Sequence, residues 1–175
     1  MFDFTSIDSS WTLFLDRDGV INFERNNDYV KSWNEFKFYD SSLQALPLLS
    51  TIFNKIIVTT NQKGVGRGIM TEAALQLIHQ NMISEIEKVG GRIDEIFYCT
   101  DLDNNAFNRK PQPGMALQAK EKFPTIDFSK SIMVGNRTSD MEFGRNAKVR
   151  FQKLFNSNTM GRAYADIYNK LVNQK

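Results

Sequence analysis

The chain has one cysteine and one histidine in 175 residues, so a disulfide within it is excluded and a reducing compartment fits. No apolar run approaches the roughly 20 residues that a membrane-spanning helix needs. Met1 to Ser10 carries acidic and hydroxyl residues where a secretory leader would have a basic start and an apolar centre. A soluble cytoplasmic protein is expected. Charge of either sign is not in excess: the net is +2, which withholds the strong field that favours nucleic acid or an anionic membrane, while leaving room for a local cationic pocket. Repeats, low-complexity tracts and linkers are also missing, so residues 1–175 are expected to form a single domain. What is present, 41% hydrophobic and 24% charged residues, is ordinary globular composition in a chain long enough for one sizeable core.

Short β-favouring runs alternate with segments of helical spacing. Thr12 to Leu15, Lys55 to Thr60 with its β-branched Ile56-Ile57-Val58, Glu95 to Cys99, Ser131 to Val134 and Val149 to Leu154 read as buried strands. Asp40 to Thr51 spaces Leu43, Leu46 and Leu49 as a helix does. A longer helix opens at Thr71 and Glu72, carries the stripe Leu75, Ile78, Met82 and Ile86, and stops at Gly90-Gly91. Further helices are expected from Met115, after Asp140, and around Tyr164 to Leu171. This alternation predicts an α/β fold with a doubly wound, mainly parallel, Rossmann-like sheet. Residues 23–39 are irregular and predict a short flap near the crevice, with Tyr29, Val30, Trp33, Phe36 and Phe38 as local core. His79 has no second histidine or carboxylate at metal spacing and is expected to be solvated or a satisfied structural residue.

Open α/β sheets place their chemistry beyond the carboxyl ends of the strands, and polar clusters stand at those ends here. The first strand runs into Asp16 and Asp18, beside Gly19. Two crowded carboxylates repel and call for a divalent cation, a lysine or both; alone, the stretch also reads as an Asp-rich turn. The second strand ends in Thr60 and Asn61. Lys110 follows the third, in a segment that Pro111 and Pro113 hold extended. The fourth leads to Asn136 and Asp140. A nucleophile, an acid/base, hydroxyl and amide donors, a cation and metal ligands along one edge are the equipment of phosphoryl transfer.

The stretch Phe14-Leu15-Asp16-Arg17-Asp18-Gly19-Val20-Ile21-Asn22 resembles motif I of the haloacid dehalogenase superfamily of phosphohydrolases. Thr60 resembles its motif II, Lys110 its motif III and Gly135 to Asp140 its motif IV. Thr60 to Gly68 and Arg109 to Met115 are similar to the branch that contains the D-glycero-D-manno-heptose 1,7-bisphosphate and histidinol-phosphate phosphatases. The likeness runs from Leu13 to Ala147. It implies that Asp16 is the nucleophile that forms an aspartyl-phosphate, and that Asp18 is the acid and base. Thr60 would hold the phosphoryl group, with Asn61, Gln62 and Lys63 beside it, and Lys110 would neutralise it. Magnesium would lie on Asp16, Asp18 and a motif IV residue, Asn136 or Asp140. Arg109, Arg67, Lys63 and Arg137 would form a positive edge for a second phosphate.

Two departures matter. Many members of the branch carry a zinc loop of cysteines and a histidine before the motif III lysine; Thr100 to Arg109 has neither, so no zinc is expected. Asn136 stands where the family usually has a metal-binding aspartate. It removes one negative charge, and it could instead cap the following helix. The intervals between motifs also leave no room for a large cap domain. The expected activity is therefore magnesium-dependent hydrolysis of a small phosphorylated substrate, preferably a sugar bisphosphate, with no nucleic acid, membrane or obligate protein partner. Histidinol phosphate as substrate, or a catalytically weak relative that binds phosphorylated ligands, are the alternatives.

Overall fold

The computed structural model describes residues 7–148 and 150–153, the last four as backbone. Five parallel strands form one sheet among them: β1 Thr12–Leu15, β2 Lys55–Asn61, β3 Glu95–Cys99, β4 Ser131–Gly135 and β5 Arg150–Lys153, in the order β3-β2-β1-β4-β5. β1 is central, pairing Leu15 with Val58 on one side and with Val134 on the other. The expected strand at Val149 to Leu154 is present as β5, and the expected helix around Tyr164 to Leu171 lies outside the described residues.

Side chains alternate across a strand, and here both faces are apolar, which is why the strands read as unbroken hydrophobic runs. Leu13, Leu15, Ile56, Val58, Ile132 and Val134 face one layer, covered by α1 Asp40–Ile52 and α3 Glu72–Lys88. Phe14, Ile57 and Met133 face the other, covered by α4 Gly114–Lys122 and α5 Thr138–Asn146 through Met115, Ala116, Ala119 and Phe143. The sheet is therefore doubly wound, as expected. Thr71 caps α3 by accepting the Ala74 N–H; exchanging such a cap for alanine costs about 1 kcal/mol.

The glycine-bearing stretch after β2 holds a one-turn helix, α2 Lys63–Gly66, which periodicity cannot reveal at that length. The flap at 23–39 has a single 3-10 turn, Trp33–Glu35. Val30 and Phe36 are buried, and the rings of Trp33, Phe36 and Phe38 pack on one another. Tyr29, Trp33 and Phe38 of the expected flap core stay partly exposed, Tyr29 lying over Gly64 of α2. No helix among the described residues is long and apolar enough to cross a membrane.

Candidate active site

β1 delivers Asp16 where the strand stops: its N–H still donates to Val134 O at 2.9 Å, while its side chain stands beyond the sheet. Asp16 Oδ1 accepts the Arg17 N–H at 2.8 Å and lies 2.9 Å from Lys110 Nζ. The same ammonium reaches Asp140 Oδ1 at 2.6 Å and donates to Thr59 O at 2.8 Å. Three donors thus meet three acceptors on a lysine only 3% exposed, which is how a buried charge becomes tolerable. Burial works against that charge, but Asp16 and Asp140 outweigh it and hold the Lys110 pKa above its ordinary value. For Asp16 the balance runs the other way. Burial, helped by the neighbouring Asp140 and opposed by Lys110, pushes its carboxyl up to about 7.

Asp18 occupies a different environment two residues on. Arg17 Nη2 donates to both of its oxygens at 2.9 Å, Asn22 Nδ2 to Oδ1 and Gln62 Nε2 to Oδ2, each also at 2.9 Å. Burial raises its pKa, but the Arg17 charge and these donors prevail and hold it below the ordinary carboxylate value. The turn that separates the two carboxylates depends on Gly19, whose φ of +86° suits glycine. A Cβ there would stand 2.1 Å from Asn136 Nδ2, so the approach of the β4 loop to β1 needs a glycine as well.

The remaining expected residues divide into two groups. Asp16, Asp18, Thr60, Asn61, Gln62, Lys63, Arg109, Lys110, Arg137 and Asp140 line one cavity of about 380 Å³, together with Arg17 and flap residues including Glu24, Arg25 and Asp28. Arg67 is not on that wall; it donates to the Tyr29 hydroxyl at 2.9 Å and steadies the flap. Within the cavity, two residues expected to bind substrate have side chains turned to protein. Asn61 exchanges two 3.0 Å hydrogen bonds with the Lys110 backbone and fixes the height of that loop. Gln62 is buried and spans Asp18 and Thr60 Oγ1. Arg137, at the rim, pairs with Glu24 of the flap at 2.9 Å.

Sequence reasoning missed three members of this site: Arg17, Asn22 and His79. Arg17 is 1% exposed. His79 is buried, not solvated, with Nε2 3.2 Å from Arg17 Nη1. Its position was signalled by spacing, because residue 79 falls on the same helical stripe as Leu75, Ile78, Met82 and Ile86.

The residues suit magnesium. Asn136 does not cap α5; that position is Arg137, whose N–H donates to Asp140 Oδ2 at 2.9 Å. Asn136 Oδ1 is instead buried without a hydrogen-bond partner, beside the Asp18–Gly19 turn. Both Asp140 oxygens are engaged, by Lys110 and by Arg137, so of the two residues Asn136 has the oxygen left free for a cation. No three His, Cys, Asp or Glu side chains among the described residues group to hold a metal. A cation here would draw on carboxylate, carbonyl and amide oxygens, the oxygen donors that magnesium takes when substrate phosphate completes its shell. With every carboxyl ionised, Asp16, Asp18 and Asp140 against Lys110 and Arg17 leave one net negative charge, and a divalent ion would reverse that sign.

Residues 12–156 match the family described as Polynucleotide kinase 3 phosphatase. The chain is 36% identical over 137 residues to a D-glycero-alpha-D-manno-heptose-1,7-bisphosphate 7-phosphatase of Mycobacterium bovis, covering 78% of this chain and 72% of that one. It is 33% identical over 159 residues to a D-glycero-beta-D-manno-heptose-1,7-bisphosphate 7-phosphatase of Helicobacter pylori, covering 88% of each. Among solved structures, a D,D-heptose 1.7-bisphosphate phosphatase from B. bronchiseptica, complexed with magnesium and phosphate, aligns with a TM-score of 0.73 and 26% identity. That alignment covers 89% of this chain and 98% of the other.

Proposed function

The chain belongs to the polynucleotide kinase 3 phosphatase family, within the haloacid dehalogenase superfamily, and from that membership we propose a magnesium-dependent phosphomonoesterase acting on D-glycero-D-manno-heptose 1,7-bisphosphate. The observation that carries the proposal is the Lys110 ammonium fixed between Asp16 and Asp140 on the floor of the cavity. It holds Asp16 Oδ1 and leaves Oδ2 without a protein hydrogen bond among the described residues.

Asp16 Oδ2 attacks phosphorus as the bond from phosphorus to the ester oxygen breaks, giving an aspartyl-phosphate. Asp18 gives a proton to the departing oxygen, then takes one from the water that attacks the aspartyl-phosphate, releasing inorganic phosphate and restoring Asp16. Asp18 is ionised in the free protein, and the approach of a phosphoryl dianion raises its pKa towards the proton-carrying form. Thr60, oriented by Gln62, donates to the phosphoryl oxygens, and Lys110 offsets charge as it moves from substrate to Asp16. The Asp16 carboxylate, the Asp18 carbonyl and Asn136 Oδ1 would hold magnesium, which would supply neutralisation of the phosphoryl charge.

Substrate choice rests on the rim, where Arg109, Arg137 and Lys63 line the cavity and suit a second phosphate. A net charge of +2 gives little overall attraction for a polynucleotide. We further propose one domain over residues 1–175, no structural zinc and a cytoplasmic location. The test is phosphate release with and without magnesium from the two anomers of the heptose bisphosphate, from histidinol phosphate and from an aryl phosphate. Magnesium-dependent release, fastest from a heptose bisphosphate, is expected. Release fastest from histidinol phosphate, or from nothing, overturns the assignment.

A further inference from the structure

Arg17 is costly for a protein to keep. The residue is 1% exposed, its Nε is buried without a hydrogen-bond partner, and an unsatisfied buried donor is destabilising. What it does there is specific. Nη2 sits between both Asp18 oxygens at 2.9 Å, and Nη1 rests 3.2 Å from His79 Nε2. The other contacts of Asp18, with Asn22 and Gln62, are single bonds from neutral amides that are also tied to Phe23 O and Thr60 Oγ1, so the arginine supplies the only charged and two-oxygen hold among the described residues. The arginine is a rigid fork pinned at its second tine by a residue of α3, on the covered side of the sheet.

His79 accepts this bond only as the neutral imidazole with the proton on Nδ1. Burial, and next to it the Arg17 charge, holds its pKa down to about 3, so that form persists across the working range. The ring is itself fixed, since Tyr98 of β3 lies against it at 5.6 Å between centroids. Tyr98 is tied in turn to Glu72 and Gln76 of α3. A chain of contacts thus runs from the α3–β3 seam to the carboxyl group that handles the proton.

We propose that His79 is a positioning residue for proton transfer: it fixes the Arg17 guanidinium, which sets where the Asp18 carboxyl points towards the ester oxygen. This rests on the phosphatase assignment above and adds to it a residue more than one contact from the substrate. A misplaced acid is felt most by esters whose leaving oxygen needs the proton, and least by an aryl phosphate whose phenolate leaves unaided. A residue that merely supports the fold would slow both alike.

The experiment compares His79→Gln with His79→Asn on a sugar phosphate and on p-nitrophenyl phosphate, with melting temperatures alongside. The glutamine carbonyl reaches the place of Nε2; the asparagine is one carbon short, and both are polar enough to fold at that site. His79→Asn is expected to lower kcat on the sugar phosphate about tenfold and on the aryl phosphate less than twofold, with KM unchanged, and His79→Gln to restore most of the loss. Equal losses on both esters, no loss on either, or a glutamine variant as poor as the asparagine one overturns the proposal. A wild-type protein inactive on both esters overturns the phosphatase assignment and this proposal together, whereas an active wild type with equal losses overturns this proposal alone.

Discussion

The floor and the rim of the cavity are both rich in charge, but they solve different problems. On the floor, Lys110 lies within 3 Å of both Asp16 and Asp140, and Arg17 lies as close to Asp18. All of these but the part-exposed Asp18 are almost dry, so each must be matched. At the rim, Lys63 and Arg137 are bathed in water and reach Asn104 and Glu24 through single surface contacts. Such contacts are worth little and are easily exchanged. A fixed floor serves a step common to every phosphomonoester. An exchangeable rim selects among them, because a substrate phosphate can replace Glu24 on Arg137 but nothing can replace Asp140 on Lys110 without disturbing the core.

The sharpest way to break this contrast is to remove the nucleophile while keeping its shape. Asp16→Asn should lower kcat by ~10³ or more on every phosphomonoester, sugar or aryl, with the protein still folded by circular dichroism. Comparable residual turnover in a clean preparation would show that the floor does not act through Asp16.

Lys110→Met tests whether the floor is held by matching. The variant leaves Asp16 and Asp140 facing each other without a cation, which should cost about 3–5 kcal/mol of stability at neutral pH in urea unfolding. Part of that should return as the pH falls from about 7. Asp16, its carboxyl already lifted that far and now freed of the lysine that opposes the rise, takes up a proton in the folded chain before it does so unfolded. A loss below 1 kcal/mol would mean the floor is as exchangeable as the rim.

The floor also has a hidden side, which acid should expose. His79 in the folded chain resists protonation down to about pH 3, whereas in the unfolded chain it protonates near the ordinary 6.5. Between those values the unfolded state binds more protons, so stability falls as pH drops through 6.5 and the loss is complete only near 3. At pH 5 the deficit amounts to about 2 kcal/mol. His79→Gln has no such proton to refuse, and its stability between pH 7 and 5 should fall by that much less. Parallel curves for the two proteins would place His79 in water.

The same residue shows what the sequence could and could not say. Asp16, Asp18, Thr60 and Lys110 were legible because each follows a strand, and topology then brings strand ends together whatever the side chains do. The doubly wound sheet was legible for a related reason: strands covered on both faces are apolar at every position. Arg17 and His79 were not legible as a pair, since 62 residues separate them and their contact depends on how α3 packs. That the Gln62 and Asn61 side chains turn to protein was not legible, because an amide beside a threonine at a strand end looks the same whether it faces substrate or protein. Asn136 was left between cap and ligand, and only the placement of Arg137 and Asp140 at the start of α5 removes the cap.

At the rim the effects should be smaller and selective. Arg109→Ala should raise KM for a sugar bisphosphate about tenfold, the worth of one charge-assisted contact, and leave an aryl monophosphate unchanged. An equal rise for both would move Arg109 from the rim to the floor.

The smallest effect lies where floor and rim meet, at Asn136. Placing Asp there returns a negative charge beside the Asp18–Gly19 turn and takes the site from one net negative charge to two. Two consequences oppose each other. Magnesium gains a charged ligand, but without magnesium the new carboxylate repels Asp16, whose pKa burial already lifts to about 7. The metal-free variant should therefore melt lower than the wild type, and magnesium should raise its melting temperature further. The concentration for half-maximal activity should fall by a factor of about three to five, as expected for roughly 1 kcal/mol from a partly solvated charge. Asn136→Ala should shift that concentration the other way with little change in metal-free stability, because α5 is capped elsewhere. If both variants keep the wild-type magnesium requirement, Asn136 Oδ1 is not a ligand. Asp140 would then have to release Lys110 or Arg137 to serve the metal, and the floor would be less fixed than its contacts make it.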